Sequence, residues 1–122
     1  MNVGIDIIEI DRIKKSIKNP KFLSRIFSPS ELKFFSQKSF SPSTIAGNFC
    51  VKEAFSKALG TGFRGFSFNE ISVLRDYMGT PYISLSGKAK EILKAKSNGN
   101  SLTVSISHSK NIATAIVIIY QS

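Results

Sequence analysis

Three stretches of this 122-residue chain carry side chains suited to phosphate chemistry. In FCVKEAFSKALG, residues 49–60, Glu53, Ser56, Lys57 and Gly60 recur at i, i+3, i+4 and i+7, one face of a helix. Val51, Ala54, Phe55, Ala58 and Leu59 form a separate apolar stripe. Taken alone, Glu53 and Lys57 make an ordinary helical pair worth roughly 0.2–0.5 kcal/mol. Asp6 adds to this, because it lies within VGIDIIEI among apolar neighbours, where an unpaired buried charge is costly. It needs a cation, backbone donors or a metal. Asp6 and Glu53, from separate elements, could hold one Mg²⁺, which takes one or two carboxylates, waters and phosphate oxygens. Lys52 and Lys57 would then neutralise phosphate charge. The plainer alternative for Asp6 is a strand-end cap or a salt bridge.

The third stretch is LTVSISHS. Its histidine, His108, is the only one in the chain and follows Leu102, Val104 and Ile106 at spacing two, hence on their face. Such a histidine usually fills a core, whereas the neighbouring Ser107, Ser109 and Lys110 suit a phosphate site. Cys50 is the only cysteine, so no internal disulfide forms and a reducing cytoplasm is the expected setting. It reads as a small buried hydrophobe.

The elements that must position these groups can be read from periodicity and punctuation. Val3–Ile10 is a β-branched run that reads as a buried strand. Asp11 is placed to cap a basic helix through Lys18, ended by Asn19-Pro20. Phe22, Leu23, Ile26 and Phe27 make a further helical turn. Ser28-Pro29-Ser30-Glu31 is a capping box with proline at the first helical position. A long helix runs from about Ser43 to Leu59 and stops at Gly60, followed by a loop to Gly65. Ile71–Arg75 and Tyr82–Leu85 are two strands, and Ala89, Ile92 and Leu93 mark a helix. Asn98-Gly99-Asn100 turns the chain into Leu102–Ser107, and Ile112–Tyr120 is the last strand. The order predicts one α+β domain spanning residues 1–122.

The net charge is +9, from 17 Lys and Arg against 8 Asp and Glu. Between Arg12 and Lys38, eight cations face Glu31 alone, a patch that attracts nucleic acid, phosphorylated cofactors or an acidic protein. No apolar run approaches a membrane span, and the N-terminus lacks the basic start of a signal peptide. Two motifs mislead. GTGFRG, residues 60–65, has the spacing of a dinucleotide fingerprint but follows a helix and precedes strands. RGFSFNEI, residues 64–71, partly matches the signature of RNA-binding sheets, although VGIDIIEI offers no second stacking aromatic. A basic RNA- or polyanion-binding module is therefore the alternative reading.

VGIDIIEIDRI, FCVKEAFSKALGTG and VSISHS together resemble the holo-[acyl-carrier-protein] synthases, small bacterial 4′-phosphopantetheinyl transferases, over essentially the whole chain. The resemblance implies that family's α+β fold, with helices packed on an antiparallel-rich sheet. It implies transfer of the 4′-phosphopantetheine arm of coenzyme A to a serine of apo acyl carrier protein, Mg²⁺-dependent, releasing adenosine 3′,5′-bisphosphate in support of fatty acid biosynthesis. By the same resemblance Asp6 and Glu53 are metal ligands, and Lys57 contacts phosphate and helps deprotonate the serine. Lys52, Gly60, Gly62, His108 and Ser109 fall to the coenzyme. Arg12 matches the arginine that faces the acidic carrier protein, and the basic face that continues through Lys15, Lys18 and Arg25 then meets the same partner, with neither nucleic acid nor membrane expected. A homotrimer with active sites between subunits is implied as well. The chain departs from the pattern at Asn48, where the family commonly has arginine; Arg64 or Lys110 could take over its role.

Overall fold

A computed structural model describes residues 1–60, 62, 64–96 and 100–121. The elements follow in the order β1 (Asn2–Glu9), α1 (Ile10–Ser16), α2 (Pro20–Ile26), α3 (Pro29–Gln37), α4 (Pro42–Leu59), β2 (Ile71–Arg75), β3 (Pro81–Leu85), α5 (Gly87–Lys96), β4 (Asn100–His108) and β5 (Ile112–Gln121). A short 3₁₀ turn at Phe68–Glu70 leads into β2. Two antiparallel sheets result, β1-β5-β4 and β2-β3, as the α+β expectation requires.

The starts and stops follow local chemistry. Asn19 caps α2 by accepting from the Lys21 N–H, and Pro20 fills the first helical position, where no N–H is needed. Ser28 and Glu31 close the expected capping box on α3. Gly60 ends α4 with φ +78°, a left-handed conformation that glycine adopts without Cβ strain. Asp11 does not cap α1. The helix begins one residue earlier, Glu9 stands at the cap without a side-chain bond, and Asp11 pairs with Lys15 at 3.2 Å. That helix also ends at Ser16 rather than Lys18. Asn98 and Gly99, expected to turn into β4, lie outside the described residues.

The core forms where α4 lies across the inner face of the three-stranded sheet. Ile45, Val51, Ala54, Phe55, Ala58 and Leu59 of α4 are buried against Ala113, Ala115, Val117 and Ile119 of β5. Close approach of helix and strand depends on Gly4, where a Cβ would sit 1.8 Å from the Ala54 carbonyl oxygen. The outer face of the same sheet is bare. Val3, Ile5 and Ile7 are 53%, 61% and 65% exposed, so β1 is buried on one face only, not on both as its continuous apolar run suggested.

Candidate active site

Alternation along β1 points Gly4, Asp6 and Ile8 toward α4. With Gly4 against Ala54, Asp6 is carried to the last turns of that helix. There the Lys57 Nζ donates to Asp6 Oδ1 at 3.1 Å and to the Ile5 carbonyl at 3.0 Å. The Asp6 side chain is 16% exposed and that of Lys57 54%, so the pair lies at the rim of a shallow site. Thr114 on β5 donates to the Asp6 carbonyl at 2.7 Å, fixing the strand beneath the carboxylate.

Glu53 sits one turn before Lys57, half-buried. Burial raises its carboxyl above the usual glutamate range; the Asp6 charge pushes the same way, and Lys57 partly offsets both. One turn earlier again, the Cys50 thiol is pushed up to about 12, by burial first and then by Asp6 and Glu53. It is a buried neutral group, as expected, and donates to the Ala113 carbonyl at 3.5 Å. Among the described residues, no group of three or more His, Cys, Asp or Glu is placed to hold a metal. Asp6 and Glu53 are instead a pair of hard oxygen donors whose mutual repulsion a divalent cation would relieve. That donor set fits Mg²⁺, which completes its shell with water and phosphate oxygens.

Lys52 requires a correction. It was expected at the coenzyme phosphate, but it points from the opposite side of α4 into the core and is fully buried. All three of its protons are used: by Glu31 Oε1 at 2.6 Å, by the Phe68 carbonyl at 2.9 Å and by the Ile71 carbonyl. No donor is left for a ligand. Burial lowers its pKa and raises that of Glu31, each shift resisted by the partner.

His108 is still within β4 and shares the face of Ile106, which contacts Gly47 of α4. Register places it two strands from β1, paired with Ala113, whereas Asp6 pairs with Ala115. The two are not brought together within one chain. His108 is exposed and lines a cleft of about 630 Å³ with Phe34, Lys38, Thr44, Gly47 and Arg75. Ser109 builds the β4–β5 turn, its Oγ accepting from the Asn111 and Ile112 N–H groups. Gly60 and Gly62 follow α4 with positive φ, and a Cβ at Gly62 would meet open space. Thr61 and Phe63 of the same loop lie outside the described residues.

Asn48 is no surface substitute for a missing cation. It is fully buried, donating to Glu31 Oε2 at 3.0 Å and the Val73 carbonyl at 2.9 Å, and accepting from Arg75 Nη2 at 2.9 Å. The cation beside it is the Arg75 guanidinium. Arg75 was read only as the end of a strand; being the lone charge in ISVLR was its one signal.

Arg12, Lys15, Lys18 and Arg25 are all exposed along α1, α2 and their junction. The stacking platform of the RNA-binding alternative does not form. Phe66 is buried edge-on against Phe55, and Phe68 lies in the 3₁₀ turn stacked on Phe49 at 5.9 Å.

The model of the 4′-phosphopantetheinyl transferase superfamily matches residues 2–117. A holo-[acyl-carrier-protein] synthase of Clostridium botulinum (strain Eklund 17B / Type B) is 48% identical over 118 residues, covering 96% of this chain and 94% of its own. The crystal structure of Helicobacter pylori holo-[acyl-carrier-protein] synthase in complex with coenzyme A superposes with a TM-score of 0.83 at 41% identity, covering 97% of this chain and 99% of that one. The synthase of Neisseria meningitidis gives a TM-score of 0.88 at 32% identity, covering 98% of each chain. The chain belongs to the 4′-phosphopantetheinyl transferase superfamily and is an enzyme of its holo-[acyl-carrier-protein] synthase branch.

Proposed function

We propose that residues 1–122 act as one domain that transfers the 4′-phosphopantetheine arm of coenzyme A to a serine hydroxyl of apo acyl carrier protein, in the cytoplasm and in support of fatty acid biosynthesis. The observation that carries this reading is Lys57 Nζ held between Asp6 Oδ1 and the Ile5 carbonyl, with Glu53 one turn away. The coenzyme A bound to the Helicobacter pylori relative supports the donor.

The seryl oxygen attacks the phosphorus that bears the pantetheine arm. Its proton passes to a base, and the pyrophosphate P–O bond breaks with the electron pair leaving on adenosine 3′,5′-bisphosphate. Such transfers depend mainly on positioning and on neutralising charge. Asp6 and Glu53 would hold Mg²⁺, which supplies charge neutralisation at the pyrophosphate when bound. Asp6 also fixes Lys57 at the site mouth, where its ammonium offsets charge on the departing phosphate. The exposed Arg12, Lys15, Lys18 and Arg25 steer the acidic carrier protein to the site. A homotrimer with sites between subunits fits two features. Val3, Ile5 and Ile7 offer an apolar outer face, and His108 stands apart from Asp6 within one chain.

The test is the mass of an apo acyl carrier protein incubated with this enzyme, coenzyme A and Mg²⁺, beside an EDTA control. A gain of one phosphopantetheine arm, abolished by EDTA, is expected. No gain with several carrier proteins would overturn the assignment.

A further inference from the structure

An anion is usually met by the N-terminus of a helix, where unpaired N–H groups and the positive end of the dipole face it. Glu53 and Lys57 stand instead in the last two turns of α4. That end carries roughly half a negative charge. Asp6 and Glu53 add two carboxylates, and Lys57 is the cation held against Asp6. A second ammonium closes the helix. Lys96, the last residue of α5, donates from Nζ to the carbonyl of Leu59, the last residue of α4, 37 residues away in sequence. Gly60 continues the face that bears Glu53 and Lys57, and a Cβ built on it would lie 3.7 Å from the same Nζ. The Gly60 N–H is shared by the Ser56 and Lys57 carbonyls, at 3.2 and 3.1 Å. Packing sets the place of Lys96. Glu70 Oε2 accepts from the Lys88 N–H at 2.9 Å at the start of α5, and Ala89 and Leu93 are buried. A Cβ on Gly65 would lie 3.4 Å from Ile92 Cδ1, so α5 meets the chain at both Leu59 and Gly65. Among the described residues Lys96 forms no ion pair, so no carboxylate cancels its charge.

We propose that Lys96 is a positioning residue for the pyrophosphate of coenzyme A, holding the last turn of α4 by the Leu59 carbonyl and cancelling the negative end of that helix. It acts through α4 and not by touching the substrate. This rests on the proposed use of coenzyme A, whose pyrophosphate belongs with Asp6, Glu53 and Lys57. Without Lys96, the helix end and two carboxylates face the incoming phosphates with Lys57 as their counter-charge. With it, the terminal carbonyl is paired and the local field turns less repulsive before any transfer occurs. A fixed charge of this kind acts alike on bound coenzyme and transition state, so it changes the Michaelis constant and leaves kcat.

Calorimetry with coenzyme A and with 3′-dephospho-coenzyme A, in the presence of Mg²⁺, tests this without turnover. Lys96→Gln keeps a donor for Leu59 and removes the charge, Lys96→Met removes both, and Lys96→Arg keeps both. The Gln and Met variants are expected to weaken the two ligands equally, by about two- to fivefold, the scale of one charge at a helix terminus. Lys96→Arg should bind like the parent. The parent's advantage over Lys96→Gln should shrink as salt rises. During turnover the Michaelis constant for coenzyme A should rise by the same factor at constant kcat. Parent-like binding by Lys96→Gln, or binding by Lys96→Arg as weak as by Lys96→Met, would overturn the role. A lower melting temperature with unchanged binding would do so too, leaving Lys96 a mere tie between α4 and α5. Binding that follows the charge at residue 96 without transfer to any carrier protein would refute the proposed reaction and leave this role standing. Transfer with no dependence on Lys96 would do the reverse, and a parent that binds no coenzyme A would overturn both.

Discussion

Lys52 and Glu31 form an ion pair from which solvent is excluded on both sides, with Nζ 2.6 Å from Oε1 and neither side chain exposed. The pair ties α4 to α3, and the Phe68 and Ile71 carbonyls tie it to the start of β2. Removing one partner strands a buried charge, which typically costs about 3–5 kcal/mol. Lys52→Met and Glu31→Gln should each lose stability on that scale in urea unfolding. The double variant should lose less than the sum of the two. The Michaelis constant of folded Lys52→Met for coenzyme A should stay unchanged; a rise would restore Lys52 to the ligand.

The Asp6–Lys57 pair is expected to behave in the opposite way. Rim-exposed pairs contribute on the order of 1 kcal/mol or less, so Asp6→Ala and Lys57→Ala should melt close to the parent. Their kcat should fall about 10²- to 10³-fold, as when an electrostatic group at a reacting centre is removed. Melting curves and carrier-protein modification rates on the same preparations separate the two effects. Full turnover in Asp6→Ala would refute the site.

Glu53 links function to pH. Burial and Asp6 raise its folded pKa above the unfolded value. The native state therefore binds the proton more readily, and stability falls as pH rises through the interval between the two values. Above that interval the loss is complete. Glu53→Gln should melt higher than the parent at neutral pH, with the advantage vanishing in acid, yet be nearly inactive. The parent's kcat/KM should begin to fall at a higher pH than an ordinary glutamate would dictate. A pH–rate profile and melts at several pH values check both halves.

Gly4→Ala tests how Asp6 is delivered. A methyl there overlaps the Ala54 carbonyl, a backbone atom that cannot rotate away. Overpacking of this kind costs about 1–3 kcal/mol and sometimes more. The expected outcome is a strongly destabilised protein, whose residual folded fraction shows a reduced kcat because β1 is displaced from α4. A melting temperature and kcat matching the parent would show that β1 packs elsewhere.

The capping box at Ser28–Glu31, the glycine stop at Gly60 and the shared helical face of Glu53 and Lys57 were legible because each is written within a few residues. What escaped was long-range. Lys52 stands beside Glu53 in sequence, and nothing local says that its partner lies 21 residues away on α3. Glu31 looked like a helix-start residue, which it is, while also being the buried counter-ion. Arg75 was missed for the same reason, since only folding brings β2 against Asn48. The burial of β1 was misread because its residues are apolar on both faces, which erases the alternation that marks a half-exposed strand.

One strand therefore serves two surfaces. Odd positions of β1 give Val3, Ile5 and Ile7 to the outer face, and even positions give Gly4 and Asp6 to the helix. A slip of one residue against β5 would exchange the two sets, sending the carboxylate outward and isoleucines against Ala54. A single-residue insertion or deletion within β1 would remove the aspartate and the apolar face together. Along this strand, length is constrained more tightly than composition.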